Sequence, residues 1–431
     1  MTQKKIGFWS LTALVVGNLV GAGVFMLPAN LAPFKGISLL GWIAASCGAV
    51  MLAMIFAKLS GKLPLSGGPY VYVREAFGEK MGFATCWGYW MMAWISNLSL
   101  VIGIVGYMLP LLPAGYDAYS MHLQILVLSL LTAFNLLSVS VTAKGELLLT
   151  IFKIIPLLLL PLIGLFWINI DHFEITSPDS FKFWESFNTV TFLTLWGFVG
   201  LETGTVPGEQ VDNPSKTIPR AVLTGTFIAM TVYILGTIAT IGIIPCDVLM
   251  HSKAPYADIA SHIFGGNWGV PISIITIISM IGALHGWIFV VGQIPLSAVK
   301  DGLFPKIFGK LNRFDAPHIS ILISSLCTLS LIFISHNENL GKQFQSIIEI
   351  SLTLIFVIYF LCVLSFIKLT KKERPLSWIE MSLALLSTIF ILWAMWAASV
   401  EMVLLSLCGF IIGIPVYIWV KRENKVCVSA N

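Results

Sequence analysis

Gly17-Asn18-Leu19-Val20-Gly21-Ala22-Gly23-Val24-Phe25-Met26-Leu27-Pro28 puts three glycines and a proline inside one apolar run that extends from about residue 8 to 31. A glycine lowers helix stability by about 1 kcal/mol and an interior proline by about 3 kcal/mol. A lone stretch of this kind also suits a contact face of small residues between packed helices. A second stretch repeats the arrangement: Trp196-Gly197-Phe198-Val199-Gly200-Leu201-Glu202-Thr203-Gly204-Thr205-Val206-Pro207, in a run over about 187–206. Two interruptions in matching places read as two discontinuous helices.

The rest of the chain shows where these runs sit. Of 431 residues only 11% are charged, and 57% are hydrophobic. Soluble domains carry about 25% charged residues. This composition excludes a soluble enzyme, a disordered chain and a nucleic-acid binder, and leaves a polytopic membrane protein. A bilayer core of about 30 Å takes about 20 apolar residues per helix. Twelve such runs are legible, over about 8–31, 38–57, 81–109, 123–141, 147–168, 187–206, 221–244, 269–298, 319–335, 346–367, 377–398 and 400–420. Short connections leave no room for a soluble domain, so 1–431 reads as a single membrane domain in the lipid bilayer. The seven cysteines form no CxxC pair, so neither a disulfide framework nor a zinc site is expected. The apolar run after Lys4 and Lys5 is too long for a cleavable leader.

Lysine and arginine set the expected orientation. With a cytoplasmic N-terminus, twenty of the 25 basic residues fall in inside segments, among them Lys58, Lys62, Arg74, Lys80, Lys300, Lys306, Lys371 and Lys372. Only Lys35, Lys182, Lys253 and Lys342 fall outside, and Lys153 lies within a span. This asymmetry places both termini in the cytoplasm.

The two interrupted spans are five apart, so they cross in opposite directions. Spans 1–5 (about 8–168) and 6–10 (about 187–367) therefore read as inverted repeats, with two extra helices over about 377–420. Such a pattern points to a transporter with its site near the midplane. Free N–H groups at Gly21, Ala22 and Gly23 suit an anion, helped by the half-helix dipole. Open carbonyls from Trp196 to Val199 suit a cation. An α-amino acid carries both groups.

At these residues a resemblance emerges. Gly17-Asn18, Gly21-Ala22-Gly23-Val24-Phe25 and Leu27-Pro28 resemble the first-helix signature of the amino acid–polyamine–organocation (APC) superfamily. Ser66-Gly67-Gly68-Pro69-Tyr70-Val71-Tyr72 with Ala76-Phe77-Gly78 is similar to its second signature. Gly208-Glu209, Asn213-Pro214 and Ile218-Pro219-Arg220-Ala221 resemble the loop after helix 6, and Asp301-Gly302-Leu303-Phe304-Pro305 the loop after helix 8. Within the superfamily the basic amino acid/polyamine antiporters are most similar, notably the bacterial arginine/agmatine antiporter. The resemblance covers spans 1–10.

It implies an all-α, leucine-transporter-like fold of twelve transmembrane helices: a 5+5 inverted repeat with broken helices 1 and 6, plus two. It also implies roles. Gly21, Ala22 and Gly23 match the carboxylate-binding turn, although the arginine/agmatine antiporter has serine in the middle. Tyr89 matches a gate tyrosine and Asn97 a polar residue near the substrate side chain. Trp196 matches the outer gate aromatic, Glu202 an acid of gating and coupling, and Trp287 an aromatic against the substrate side chain. Ser351 and Tyr359 match polar lining positions. The resemblance further suggests a homodimer in a bacterial inner membrane.

The polar candidates divide on physical grounds. A charged group at mid-membrane costs about 2.5–3.5 kcal/mol on the mildest scale, so Glu202 reads either as a pathway residue or as a cytoplasm-facing acid bonded to backbone. Lys153 either snorkels to the headgroups or stays buried and carries a proton; proton-coupled relatives have a lysine here and the arginine/agmatine antiporter does not. His285 faces the cavity or bonds within its helix. Glu349 reads as solvated and Glu401 as lying in a turn. Trp90, Trp94, Trp378, Trp393 and Trp396 read as packing or interface residues.

No Walker A run, HExxH or GxSxG is present, so neither an ATP-driven pump nor an enzyme is expected, and no cofactor. The expected function is secondary active transport, by exchange of an amino acid, best a basic one, against a related amine or amino acid. Proton-coupled symport is the alternative, and a non-transporting receptor or channel a more distant one.

Overall fold

In the computed structural model, residues 5–137, 143–175 and 180–429 are described. Lys4 and the end of the fourth expected span, 138–141, lie outside the described residues. The described chain is helical, and its only strand-like pairing is one isolated parallel bridge between Ile6 and Val211. In chain order the helices are α1 (Phe8–Leu19), α2 (Ala22–Leu31), α3 (Ile37–Lys62), α4 (Pro69–Phe77), α5 (Glu79–Met108), α6 (Ser120–Leu137), α7 (Ala143–Gly164) and α8 (Ser180–Leu195). There follow α9 (Pro214–Ile243), α10 (Cys246–Leu249), α11 (Pro255–Phe264), α12 (Gly269–Lys300), α13 (His318–Ser335), α14 (Leu340–Glu373), α15 (Trp378–Trp396) and α16 (Val400–Ser429).

Among the described residues ten helical segments are long and apolar enough to cross a membrane. They coincide with ten of the twelve expected runs. The fifth run is α7, which contains Pro156 and Pro161. The sixth is α8, which stops at Leu195 and continues as 3-10 turns over Trp196–Phe198 and Leu201–Thr205. Glu401 lies in the first turn of α16 rather than in the connection before it.

Two groups of helices pack side by side. In one, α3 packs on α8 and α9, and α9 on α1. In the other, α5 packs on α12 and α14, and α13 on α6 and α12. α5 is buried over nearly its whole length, whereas α6, α13 and α16 turn Leu130, Phe134, Leu326, Phe333, Ile411 and Ile412 outward. Apolar faces turned outward on helices of this length suit contact with lipid tails.

Polar contacts fix the ends of the helices where the basic residues gather. Glu380 is 4% exposed and accepts two hydrogen bonds from Arg374, at 2.8 and 2.9 Å, and one from Lys58 at 3.2 Å. Its capping box with Ser377 starts α15. The Glu380 hydrogen bonds raise the Arg374 pKa above its ordinary value. Asp301, in the loop after α12, accepts from Arg74 at 2.8 Å and Tyr70 at 3.0 Å and so holds α4 in place. Ile6 donates to Gln210 at 2.8 Å and accepts from Asp212 at 2.9 Å, which straps the segment before α1 to the loop after the 3-10 turns.

Candidate functional site

The first interruption is two residues long. α1 ends at Leu19, α2 begins at Ala22, and Gly21 adopts φ −109° and ψ −142°. Pro28 lies within α2, so the glycine-rich turn and not the proline makes the break. A helix end leaves carbonyls without intrahelical partners. Here the Val20 N–H covers Val16, and the next four carbonyls each receive a side-chain donor. The Lys153 ammonium donates to Gly17 at 2.6 Å and Val20 at 3.0 Å. The Trp287 indole donates to Asn18 at 3.4 Å, and the Tyr233 hydroxyl lies 2.6 Å from the Leu19 carbonyl. The Gly21 N–H is also taken, by Leu19, so the free donors expected at Gly21–Gly23 begin one residue later, in the first turn of α2.

The second interruption turns at Val199 and Gly200, the latter at φ +111°, a left-handed conformation that suits glycine. A Cβ there would lie 3.3 Å from the Trp287 ring and 3.4 Å from the Asn18 backbone, so the two breaks and α12 meet at this point. The carbonyls expected to be open from Trp196 to Val199 are partly occupied. Trp196 accepts from the Val199 N–H, and Gly197 lies 2.6 Å from the Tyr233 hydroxyl. Tyr233 has one proton, so the Leu19 and Gly197 carbonyls share it. This tyrosine of α9 ties both breaks together, and no sequence signal singled it out.

Glu202 follows the second break and is fully buried. Tyr89 of α5 donates to one carboxyl oxygen at 2.9 Å and Tyr359 of α14 to the other at 2.5 Å, with the Gly200 N–H at 3.2 Å. Glu202 thus has a backbone bond, to Gly200, beside the two tyrosines, all away from solvent. The snorkelling alternative for Lys153 falls: the residue is 4% exposed and lies on the backbone of the first break.

Between the breaks lies a cavity lined by Asn18, Leu19, Gly21, Ala22, Gly23, Ser96, Ser99, Leu100, Trp196, Val199 and Trp287. About 30 Å³ is open to water centres, enough for about two waters. Six of the eight expected substrate-binding residues line it: Gly21, Ala22, Gly23, Trp196, Val199 and Trp287. Asn97 and Ser351 do not; each is buried with a side-chain oxygen that finds no partner among the described residues. On α5 the wall is made by Ser96, Ser99 and Leu100. Asn18, whose side-chain nitrogen is also buried without a partner among the described residues, is one of the lining residues. His285 is not among the residues lining this cavity and makes no hydrogen bond within its helix among the described residues; it packs edge-on against Phe134 of α6.

A family model described as amino acid permease matches residues 6–422. The chain belongs to the amino acid permease family. The permease is therefore a multi-pass membrane transporter and not an enzyme. It is 32% identical over 343 residues to a cadaverine/lysine antiporter of Escherichia coli (strain K12), covering 77% of this chain and 75% of that one. It is 30% identical over 371 residues to the putrescine transporter PotE of the same strain, covering 86% and 84%. The relationship to basic amino acid/polyamine antiporters of the APC superfamily, expected from the signature residues, stands on these matches. The fold of the permease is shared with MhsT, solved in complex with L-phenylalanine, at a TM-score of 0.61 and 15% identity, covering 93% of this chain and 100% of that one.

Proposed function

We propose that the permease exchanges a basic amino acid for a related amine or amino acid by alternating access, across a bacterial inner membrane with both termini cytoplasmic. The observation that carries this reading is the cavity between the two interruptions. First-turn N–H groups of α2 on its wall suit a carboxylate. The backbone around Leu19 and Val199 suits an α-ammonium. No acidic side chain is among the lining residues, so the faces of Trp196 and Trp287 would hold a cationic side chain by cation–π attraction. The likeness to a cadaverine/lysine antiporter and a putrescine transporter supports that substrate class. Asn97 and Ser351 would join the site only after rearrangement, and Tyr89, Glu202 and Tyr359 act as the gate and coupling cluster.

Twelve crossings in a five-plus-five inverted repeat, over about 8–168 and 187–367 with 377–420 added, account for the two interruptions and the two helix groups. Room for about two waters is too little for lysine, so loading requires one helix group to move against the other. A homodimer remains part of this reading.

A second reading, proton-coupled uptake, is favoured by one observation. Lys153 holds the backbone of the first break through its ammonium, so loss of its proton would loosen that break. Titration calorimetry on the purified permease tests the substrate assignment. Lysine, ornithine, arginine or their decarboxylation products should bind more tightly than alanine, and equal affinity for alanine would contradict it.

A further inference from the structure

Ser96 and Ser99 of α5 line the substrate cavity together with Leu100. They stand three residues apart, so they share one side of the helix. A Cβ on Gly21 would lie 3.4 Å from the Leu100 side chain, which sets this side of α5 against the first break. Both serines are buried, and both hydroxyl protons are committed to their own helix. The Ser96 hydroxyl donates to the Met92 carbonyl at 2.7 Å, with Met92 Sδ at 3.3 Å. The Ser99 hydroxyl donates to the Ser96 carbonyl at 2.7 Å.

A hydroxyl has one proton and two acceptor lone pairs. With the proton engaged, each serine has only acceptor capacity left. Such an oxygen suits an N–H donor and gives nothing to a carboxylate. Side-chain acceptors among the lining residues are confined to Ser96, Ser99 and the Asn18 amide, because an indole only donates and the other lining side chains are apolar or absent. In the proposed pose the α2 N–H groups meet the carboxylate, and the backbone around Leu19 and Val199 meets the α-ammonium. A lysine-type side chain brings a second ammonium with three N–H donors, to which the indole faces supply attraction but no acceptor atom. The helix itself has no need of these serines, since alanine has the higher helix propensity.

We infer that Ser96 and Ser99 determine specificity for a basic substrate: their oxygens accept hydrogen bonds from its side-chain ammonium, beside the faces of Trp196 and Trp287. The inference rests on the proposed basic substrate and deepens it. Asn18 lies near the end of α1, whereas the serines and Trp287 stand on α5 and α12, which pack on each other. The end of the site that selects the cation is built on that pair of helices.

Titration calorimetry on the purified permease with lysine and norleucine tests this, because norleucine lacks only the side-chain amino group of lysine. Ser96→Ala and Ser99→Ala should each weaken lysine binding at least about tenfold, as loss of a hydrogen bond to a charged group does, and norleucine binding far less. Ser96→Cys and Ser99→Cys keep the size of the side chain but offer only a weak acceptor. They should shift the lysine-to-norleucine ratio in the same direction, and they carry the test at a position where the alanine variant does not fold. A ratio unchanged in these variants would overturn the role of the serines and leave the basic-substrate reading standing. Lysine bound no more tightly than norleucine by the unaltered permease would overturn that reading, and the inference with it.

Discussion

Lys153 places its ammonium nitrogen 2.6 Å from the carbonyl oxygen of Gly17, 136 residues earlier in the chain. The contact joins α7 to the end of α1, where the backbone leaves helical geometry. With Val20 as its second acceptor, this one side chain spans the interruption. The helix end at mid-molecule is therefore held by a group whose charge and length both matter.

Replacing Lys153 by Ala leaves the Gly17 and Val20 carbonyls buried without this donor, at about 1–3 kcal/mol each. Thermal unfolding of the purified variant should begin several degrees lower, and exchange should fall at least about tenfold. Lys153→Met, which keeps the length but donates nothing, should behave the same way. Near-normal exchange by Lys153→Met would assign the lysine to packing.

The Glu202 carboxylate is shared between Tyr89 and Tyr359, which come from different helices. Tyr359→Phe should reduce exchange and stability more than Tyr89→Phe, because its bond is shorter, 2.5 against 2.9 Å. The double variant should cost measurably less or more than the sum, since residues in one network couple by about 0.5–3 kcal/mol. Strict additivity in a double-mutant cycle would separate the two tyrosines.

Trp287→Leu removes an aromatic wall of the cavity and the indole donor to Asn18. Loss of a desolvated cation–π contact is worth up to about 2 kcal/mol, or about thirtyfold in affinity. Lysine and diamine affinity should fall by about that factor and alanine affinity much less. Equal losses would make Trp287 a packing residue.

Gly200→Ala introduces a Cβ at φ +111° and 3.3 Å from Trp287. Gly78→Ala also meets a positive φ, +85°, but no atom within 4 Å. Both should lower stability, by about 1–2 kcal/mol for the backbone alone. Only Gly200→Ala should weaken substrate binding, measured by titration calorimetry. Matching affinities would place Gly200 outside the site.

Much of this arrangement was legible in the sequence, and the limits were physical. Glycines 17, 21 and 23 and residues 197–204 betrayed the interruptions because helical backbone is least stable there. Composition and run length identified the crossings because the bilayer sets both. Glu202 and Lys153 stood out as charges in apolar runs. Tyr89 and Tyr359 were reached through the resemblance, but their pairing with Glu202, 113 and 157 residues away, was not legible. Tyr233 sits in an otherwise ordinary apolar helix, and only its position over two carbonyls reveals its part. Asn97 is not among the lining residues whereas its neighbour Ser96 is, and a shift of one residue along α5 turns a side chain by about 100°. Asn18, within the quoted signature but not singled out, is among the lining residues.

The most direct test of exchange is uptake of labelled lysine into proteoliposomes that are either empty or loaded with unlabelled lysine or cadaverine. Exchange predicts rapid uptake only into loaded vesicles, unaffected by an imposed pH gradient. Uptake into empty vesicles driven by an inward proton gradient would contradict it and establish the proton-coupled reading instead.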